Sequence, residues 1–194
     1  MTFLRRRAPQ PFPTHYTHDR GKKEDPMDIT SLQDAYRVLL VAAATADSGD
    51  AIPAPPDGEW NADQILAHVS LVSAATIAAA SAIASGANTT YDNRTALDPW
   101  TIQRVIALAG GNAGLQDRIA RQGEALCAIG GSVLREAELN TLVPTLLLSN
   151  DALLVNQPMP LRDLLTGLAG TELPGHTRQL LALLPDGAGA EAAT

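Results

Sequence analysis

A single histidine on an otherwise apolar helical stripe is what most limits the folds open to this chain. Asn61, followed three residues later by Gln64, has the form of a helix capping box, and Ile65, His68, Val72, Ala75 and Ala79 then recur at steps of three and four. The spacing predicts a helix whose core-facing stripe includes His68. An imidazole on such a face needs polar partners, because burying polar groups without them is costly. Beyond residue 26 the chain has one other histidine, in the stretch Glu172-Leu173-Pro174-Gly175-His176-Thr177-Arg178-Gln179-Leu180. There a carboxylate and an imidazole stand four residues apart, one turn and one face of a helix. The apolar run Leu180, Leu181, Leu183 and Leu184 carries that segment towards packed interior. The expectation is that these two distant helices face one another around His68, Glu172 and His176.

Those residue types suit a divalent metal. Three protein ligands of this kind, with a fourth position left open, are the form of a catalytic zinc site. Each residue also has a plainer reading: His68 as a hydrogen-bonded core residue, Glu172 as a solvated helix residue, His176 as a capping group after Pro174-Gly175. The joint reading gains from the lack of competing histidines, and from the partner that a buried carboxylate needs if no metal is there. Arg94, in a polar loop, is the candidate clamp for a substrate anion, with a surface arginine as the plainer alternative. Cys127 lies among Leu126, Ala128 and Ile129 and reads as a small core residue, not a nucleophile.

Alanine and leucine dominate, and only 4% of the residues are aromatic, which favours helices over strands. A first helix is expected from Thr30 or Ser31, either able to cap it, through Leu32, Tyr36, Leu39 and Leu40 to about Ala46. The linker from Asp47 to Gly58 holds three prolines and two glycines and cannot be regular. After the His68 helix and a polar loop, Asp98 caps and Pro99 opens a third helix, which Gly110-Gly111 should kink or split and Gly130-Gly131 should soften. Val143–Leu148 and Ala152–Val155 flank Ser149-Asn150-Asp151 and read as a short hairpin. Pro160 begins the last helix, and Pro174 should disturb it and re-aim Glu172 relative to His176. The expected fold is all-α: a four-helix bundle with a short β-hairpin before the last helix, over residues 28–185. Residues 1–27, with Pro9, Pro11, Pro13 and Pro26 and no periodicity, are expected to be a disordered extension, and 186–194 a flexible tail.

Charge and cysteine usage exclude several classes. Up to residue 27 there are six basic residues against three acidic ones, so the rest of the chain holds a net charge of −10 where the whole has −7. An acidic body argues against nucleic acid as a partner. The single cysteine excludes an internal disulfide and fits a reducing cytosol, hence a cytoplasmic protein. No run of about 18 apolar residues is apparent, so no membrane partner is expected. No lysine follows Lys23, and this arginine-only, alanine-rich habit is that of a GC-rich genome, such as an actinobacterial one.

Several stretches carry a resemblance. Pro56, Glu59-Trp60-Asn61 and Ile65-Leu66-Ala67-His68-Val69 are similar to the start of the second helix in the DinB-like (YfiT-like) metal-binding four-helix bundles. The Tyr91-Asp92-Asn93-Arg94 loop, the Pro144-to-Pro160 hairpin and Glu172–Leu180 resemble one branch of them, the N-terminal domain of the mycothiol-dependent maleylpyruvate isomerases. Most DinB-like proteins have His-x3-His on the last helix; the isomerase branch resembles this chain in having Glu at the first of those places. The resemblance implies His68, Glu172 and His176 as ligands of Zn2+ or another divalent metal, with mycothiol as cosubstrate. It implies a metal-dependent isomerase or S-transferase whose partners are a small-molecule thiol and an electrophilic small molecule. A homodimer is compatible with it. The isomerases carry a further C-terminal domain, and this chain stops about where that would begin. A metal-water hydrolase and a non-catalytic metal-binding stress or interaction module stay open as alternatives.

Overall fold

A computed structural model of the chain describes residues 27–47, 55–56, 58–149 and 152–184. The expected N-terminal extension up to residue 26, most of the Asp47–Gly58 linker, the hairpin tip at 150–151 and the tail from residue 185 lie outside the described residues. The chain is mostly helical with one small sheet. In order it runs α1 (Thr30–Asp47), α2 (Ala62–Ala84), β1 (Tyr91–Asp92), α3 (Arg94–Leu97), α4 (Pro99–Ala109), α5 (Asn112–Ala128), α6 (Glu136–Leu139), β2 (Leu142–Ser149), β3 (Ala152–Pro160), α7 (Leu161–Gly167) and α8 (Leu173–Ala182). π-helical turns at Ile129–Val133 and Leu168–Glu172 follow α5 and α7.

The helix ends follow from local chemistry. Neither Thr30 nor Ser31 caps α1 with its side chain; the helix already includes both, and the Asp28 carboxylate accepts the Thr30 N–H at 2.9 Å. At α2 the capping box is present as expected: Asn61 Oδ1 accepts from Gln64 N–H, and Gln64 Oε1 accepts from Asn61 N–H, both at 2.9 Å. Its other end closes with Gly86 N–H to Ile83 C=O and Ala87 N–H to Ala82 C=O, Gly86 having φ of +76°. Asp98 caps α4 through Thr101 N–H at 2.8 Å, with Pro99 in the first turn. The expected split falls at Gly110 and Gly111, whose φ values of +80° and +95° end α4 and restart the chain as α5.

The core is built around α2, which packs along α5, while α1 lies against α5 and α8. Leu39, Leu66, Leu115, Ile119, Leu126, Leu161, Leu173 and Leu180 are fully buried in it. Where α1, α2 and α5 meet, the Tyr36 ring lies over Gly123 and its hydroxyl is 2.7 Å from Ser73 Oγ. In α4 it is Ile102 and Val105 that enter the core, whereas Trp100 and Leu108 stay largely exposed. By length and a mean hydropathy of 1.7, α2 does meet the measure of a membrane span, against the sequence expectation. Most of that stretch is buried inside the fold, so its apolarity is that of a core helix.

The sheet holds more than the expected hairpin. β2 and β3 pair antiparallel from Leu142↔Pro160 to Ser149↔Ala152, with an irregularity at Leu147/Leu148, so the second strand runs five residues past Val155. A third strand, β1, pairs parallel to β2 through Tyr91↔Thr145 and Asp92↔Leu146, where a loop was expected. The last helical stretch is disturbed as expected. Pro174 has no N–H for the carbonyl of Gly170, and the backbone just before it widens into the π-helical turn Leu168–Glu172.

Candidate metal centre

His68 is fixed first. The capping box sets where α2 begins, and two turns on His68 is buried at 3% exposure between Ala67 and Val69. Its Nδ1 lies 2.8 Å from the Ala96 carbonyl of α3. A carbonyl only accepts, so Nδ1 carries the proton and a neutral ring presents a lone pair at Nε2. That lone pair points at a carboxylate: His68 Nε2 is 3.0 Å from Glu172 Oε1.

Glu172 closes the π-helical turn before α8, and His176 is one turn further on. His176 Nε2 is 3.3 Å from the same Oε1, and its Nδ1 donates to Gln179 Oε1 at 2.7 Å. The two rings are in contact, with centroids 4.7 Å apart. The Trp60 ring lies 4.9 Å from His68 and 6.5 Å from His176, so the residue before the α2 cap packs beside both imidazoles. With a proton on each Nε2, hydrogen bonds from His176 and then His68 hold the Glu172 carboxyl far below the usual carboxylate range, against the opposing effect of burial; a cation between the three groups would take the place of those protons. Tyr91 is buried nearby. Its hydroxyl is 3.3 Å from Thr76 Oγ1, and burial raises its pKa with the Glu172 charge adding to the effect.

The residues present fit a divalent cation. With Nδ1 of both rings occupied, two Nε2 lone pairs and one carboxylate oxygen converge, and acceptors so placed need a proton or a cation between them. The three ligand atoms all lie within 4.8 Å of one another. The separations of 3.0 and 3.3 Å to Glu172 Oε1 are close to the edge of about 3.3 Å of a tetrahedron with ligands at about 2.0–2.1 Å. The outer hydrogen bonds to Ala96 and Gln179 are of the kind that orient metal-bound imidazoles.

The sequence thus named the three residues that the fold brings together. Arg94 is placed differently. It is exposed, and its guanidinium is held by Asp92, with Nη2 2.5 Å from Oδ2 and Nε 3.0 Å from Oδ1. Hydrogen bonds within this pair lower the pKa of Asp92 and raise that of Arg94. Cys127 is a buried core residue whose thiol pKa is raised by burial, the reverse of an activated nucleophile. Sequence reasoning missed the Ala96 carbonyl, Gln179 and Tyr91 as parts of the centre. Only Gln179, three residues after His176, stood at a spacing that could have signalled it. Compared with protein-family models, curated proteins and solved structures, the chain matches none.

Proposed function

We propose that residues 28–185 form a DinB-like four-helix bundle of the kind found at the N-terminus of mycothiol-dependent maleylpyruvate isomerases. In this reading the chain is a cytoplasmic, divalent-metal-dependent enzyme that uses a low-molecular-weight thiol, mycothiol where the cell makes it, for isomerisation or S-transfer. The observation that carries the metal is His68 Nε2 facing Glu172 Oε1 at 3.0 Å while Ala96 holds the proton on the other ring nitrogen. His68, Glu172 and His176 would hold the ion, most suitably zinc. Bound zinc supplies a positive charge that stabilises thiolate over thiol.

The rest is done by this chain's own groups. Ala96 and Gln179 keep both Nε2 atoms aimed at the centre. Trp60 and buried Tyr91 limit water on the core side, and the partly exposed Glu172 leaves the other side open. Cys127 is buried in the core, so the nucleophilic sulfur comes from a small molecule. Arg94 binds a substrate carboxylate by exchanging it for Asp92, its present partner.

The test is metal analysis of the purified chain followed by mycothiol titration of its cobalt form. Near-stoichiometric metal and a sulfur-to-cobalt charge-transfer band on adding thiol are expected. A chain that binds no metal, or a cobalt spectrum blind to thiol, overturns the reading. Ester or amide hydrolysis without thiol would replace it with a metal-water hydrolase.

A further inference from the structure

The side chain of Asn93 does something unusual for its position. It precedes α3, where asparagine ordinarily caps the helix, yet it makes no capping bond. The Asp92 carboxylate takes the first free donor, Arg94 N–H, at 3.0 Å. Asn93 is 8% exposed and turns its amide to β2 instead: Nδ2 donates to Leu148 C=O and Oδ1 accepts from Leu148 N–H, both at 2.9 Å. The pair of bonds continues the β1–β2 ladder by one rung made of a side chain. It sits at the irregularity of the hairpin, where Leu148 N–H is turned to Asn93.

From Asn93 the hydrogen bonds run on to the metal centre. The Asn93 carbonyl accepts Ala96 N–H at 2.9 Å, Ala96 C=O accepts His68 Nδ1–H at 2.8 Å, and His68 Nε2 faces Glu172. α3 is a single turn, too short to hold its own place by packing alone. Asn93 and Asp92 both hold the turn at its start by hydrogen bonds, and Ala96 within it is buried.

We propose that Asn93 is a positioning residue of the metal centre: by anchoring α3 to the β2–β3 hairpin it sets the Ala96 carbonyl, and through it the tautomer and aim of His68. The proposal rests on His68, Glu172 and His176 being metal ligands. It also gives the hairpin a task, since a shift of β2 at Leu148 moves the α3 turn and so the ring.

The test is zinc affinity of the full chain by competition with a chromogenic chelator, for wild type, His68→Ala, Asn93→Ala, Leu148→Pro and the Asn93→Ala/Leu148→Pro double variant. Leu148→Pro leaves Asn93 in place and removes the donor it accepts from, at a strand irregularity, where prolines in sheets are found. Asn93→Ala and Leu148→Pro should each weaken zinc about tenfold, the scale for outer partners of a ligand. The double variant should lose little more than Asn93→Ala alone, because both changes cut one link. The thermal midpoint of each metal-free chain is read alongside. A lowered midpoint with unchanged zinc affinity means Asn93 is merely structural and overturns the positioning role. Zinc binding by wild type but not by His68→Ala, with the three other variants binding as wild type, overturns the role and leaves the metal reading intact. Failure of wild type itself to bind zinc overturns both.

Discussion

The two sides of the proposed metal centre are built in opposite ways. His68 comes from the second turn of an unbroken 23-residue helix, capped at both ends and buried along its inner face. Glu172 and His176 come from a stretch in which a π-helical turn and Pro174 interrupt the backbone, and the Glu172 side chain remains 35% exposed. One side is a fixed post and the other an adjustable arm. A ligand on the post is expensive to alter because the core surrounds it. Ligands on the arm can be re-aimed while the helix packing stays as it is.

The largest contrast should come from truncating one histidine on each side. His68→Ala and His176→Ala should both cut zinc affinity by about 100-fold or more, as loss of one of the three proposed ligands. Their effects on the metal-free fold should differ. His68→Ala opens a cavity and strands the buried Ala96 carbonyl, costing about 2–4 kcal/mol in denaturant unfolding. His176→Ala, whose side chain is 12% exposed and whose outer partner Gln179 is solvent-exposed, should cost less, about 1–2 kcal/mol. Equal costs would dissolve the distinction between post and arm.

Next in size is a pH effect confined to the fixed side. Burial pushes the Tyr36 hydroxyl, hydrogen-bonded to Ser73, up to about 12. The folded pKa lies above the unfolded value near 10, and the folded state disfavours the charged phenolate. Its contribution is therefore complete below pH 10 and is lost as pH rises from 10 towards 12, on the order of 2 kcal/mol. Thermal midpoints of wild type and Tyr36→Phe between pH 9 and 12 should converge, wild type falling more steeply. Parallel curves would show that the hydroxyl is not held in the core.

On the adjustable side, Pro174→Ala should restore a backbone N–H for the Gly170 carbonyl and let the helix regularise. Zinc affinity should then fall several-fold as Glu172 is re-aimed, and stability should fall by about 1–3 kcal/mol, because a helix without the widened turn directs a carboxylate towards the core. Unchanged affinity would mean that the arm's aim is set by packing and not by proline. The smallest effect is expected for Gln179→Ala. Water can replace an exposed acceptor at His176 Nδ1, so a two- to threefold loss of zinc affinity is expected by chelator competition.

How far the chain could be read from its letters follows the same division. α2 was legible because a capping box, a stripe at steps of three and four, and one histidine agree within a single segment. Glu172 and His176 were legible as a pair because four residues make one helical turn whether or not the turn before is widened. The Gly110-Gly111 split was legible because two consecutive glycines license a backbone that other residues resist. The rest depends on residues far apart in the chain. β1 is two residues long and exists only by pairing with Thr145 and Leu146, so it has no period to detect. The Ala96 carbonyl belongs to the backbone, and no side-chain pattern signals it. The Arg94–Asp92 pair stood two residues apart in plain view, but whether an arginine binds its neighbour or a substrate is a matter of geometry.

The widened turn at Leu168–Glu172 has a consequence for phase. Before it the buried positions are Leu161, Leu164, Leu165 and Leu168; after it they are Leu173, Thr177 and Leu180. An uninterrupted α-helix continuing the first set would bury positions 172 and 176 instead, because four residues nearly complete a turn. The extra residue rotates the second half by about 100° and hands those inward places to leucine and threonine. Glu172 and His176 are thereby moved to the seam, Glu172 partly open to solvent and His176 mostly wrapped. Deleting one residue such as Gly170 would let the two halves join as one α-helix with Leu173, Thr177 and Leu180 still inward, removing the widened turn that ends at Glu172. With the sequence as it stands, that one widened turn is what keeps Glu172 and His176 out of the interior.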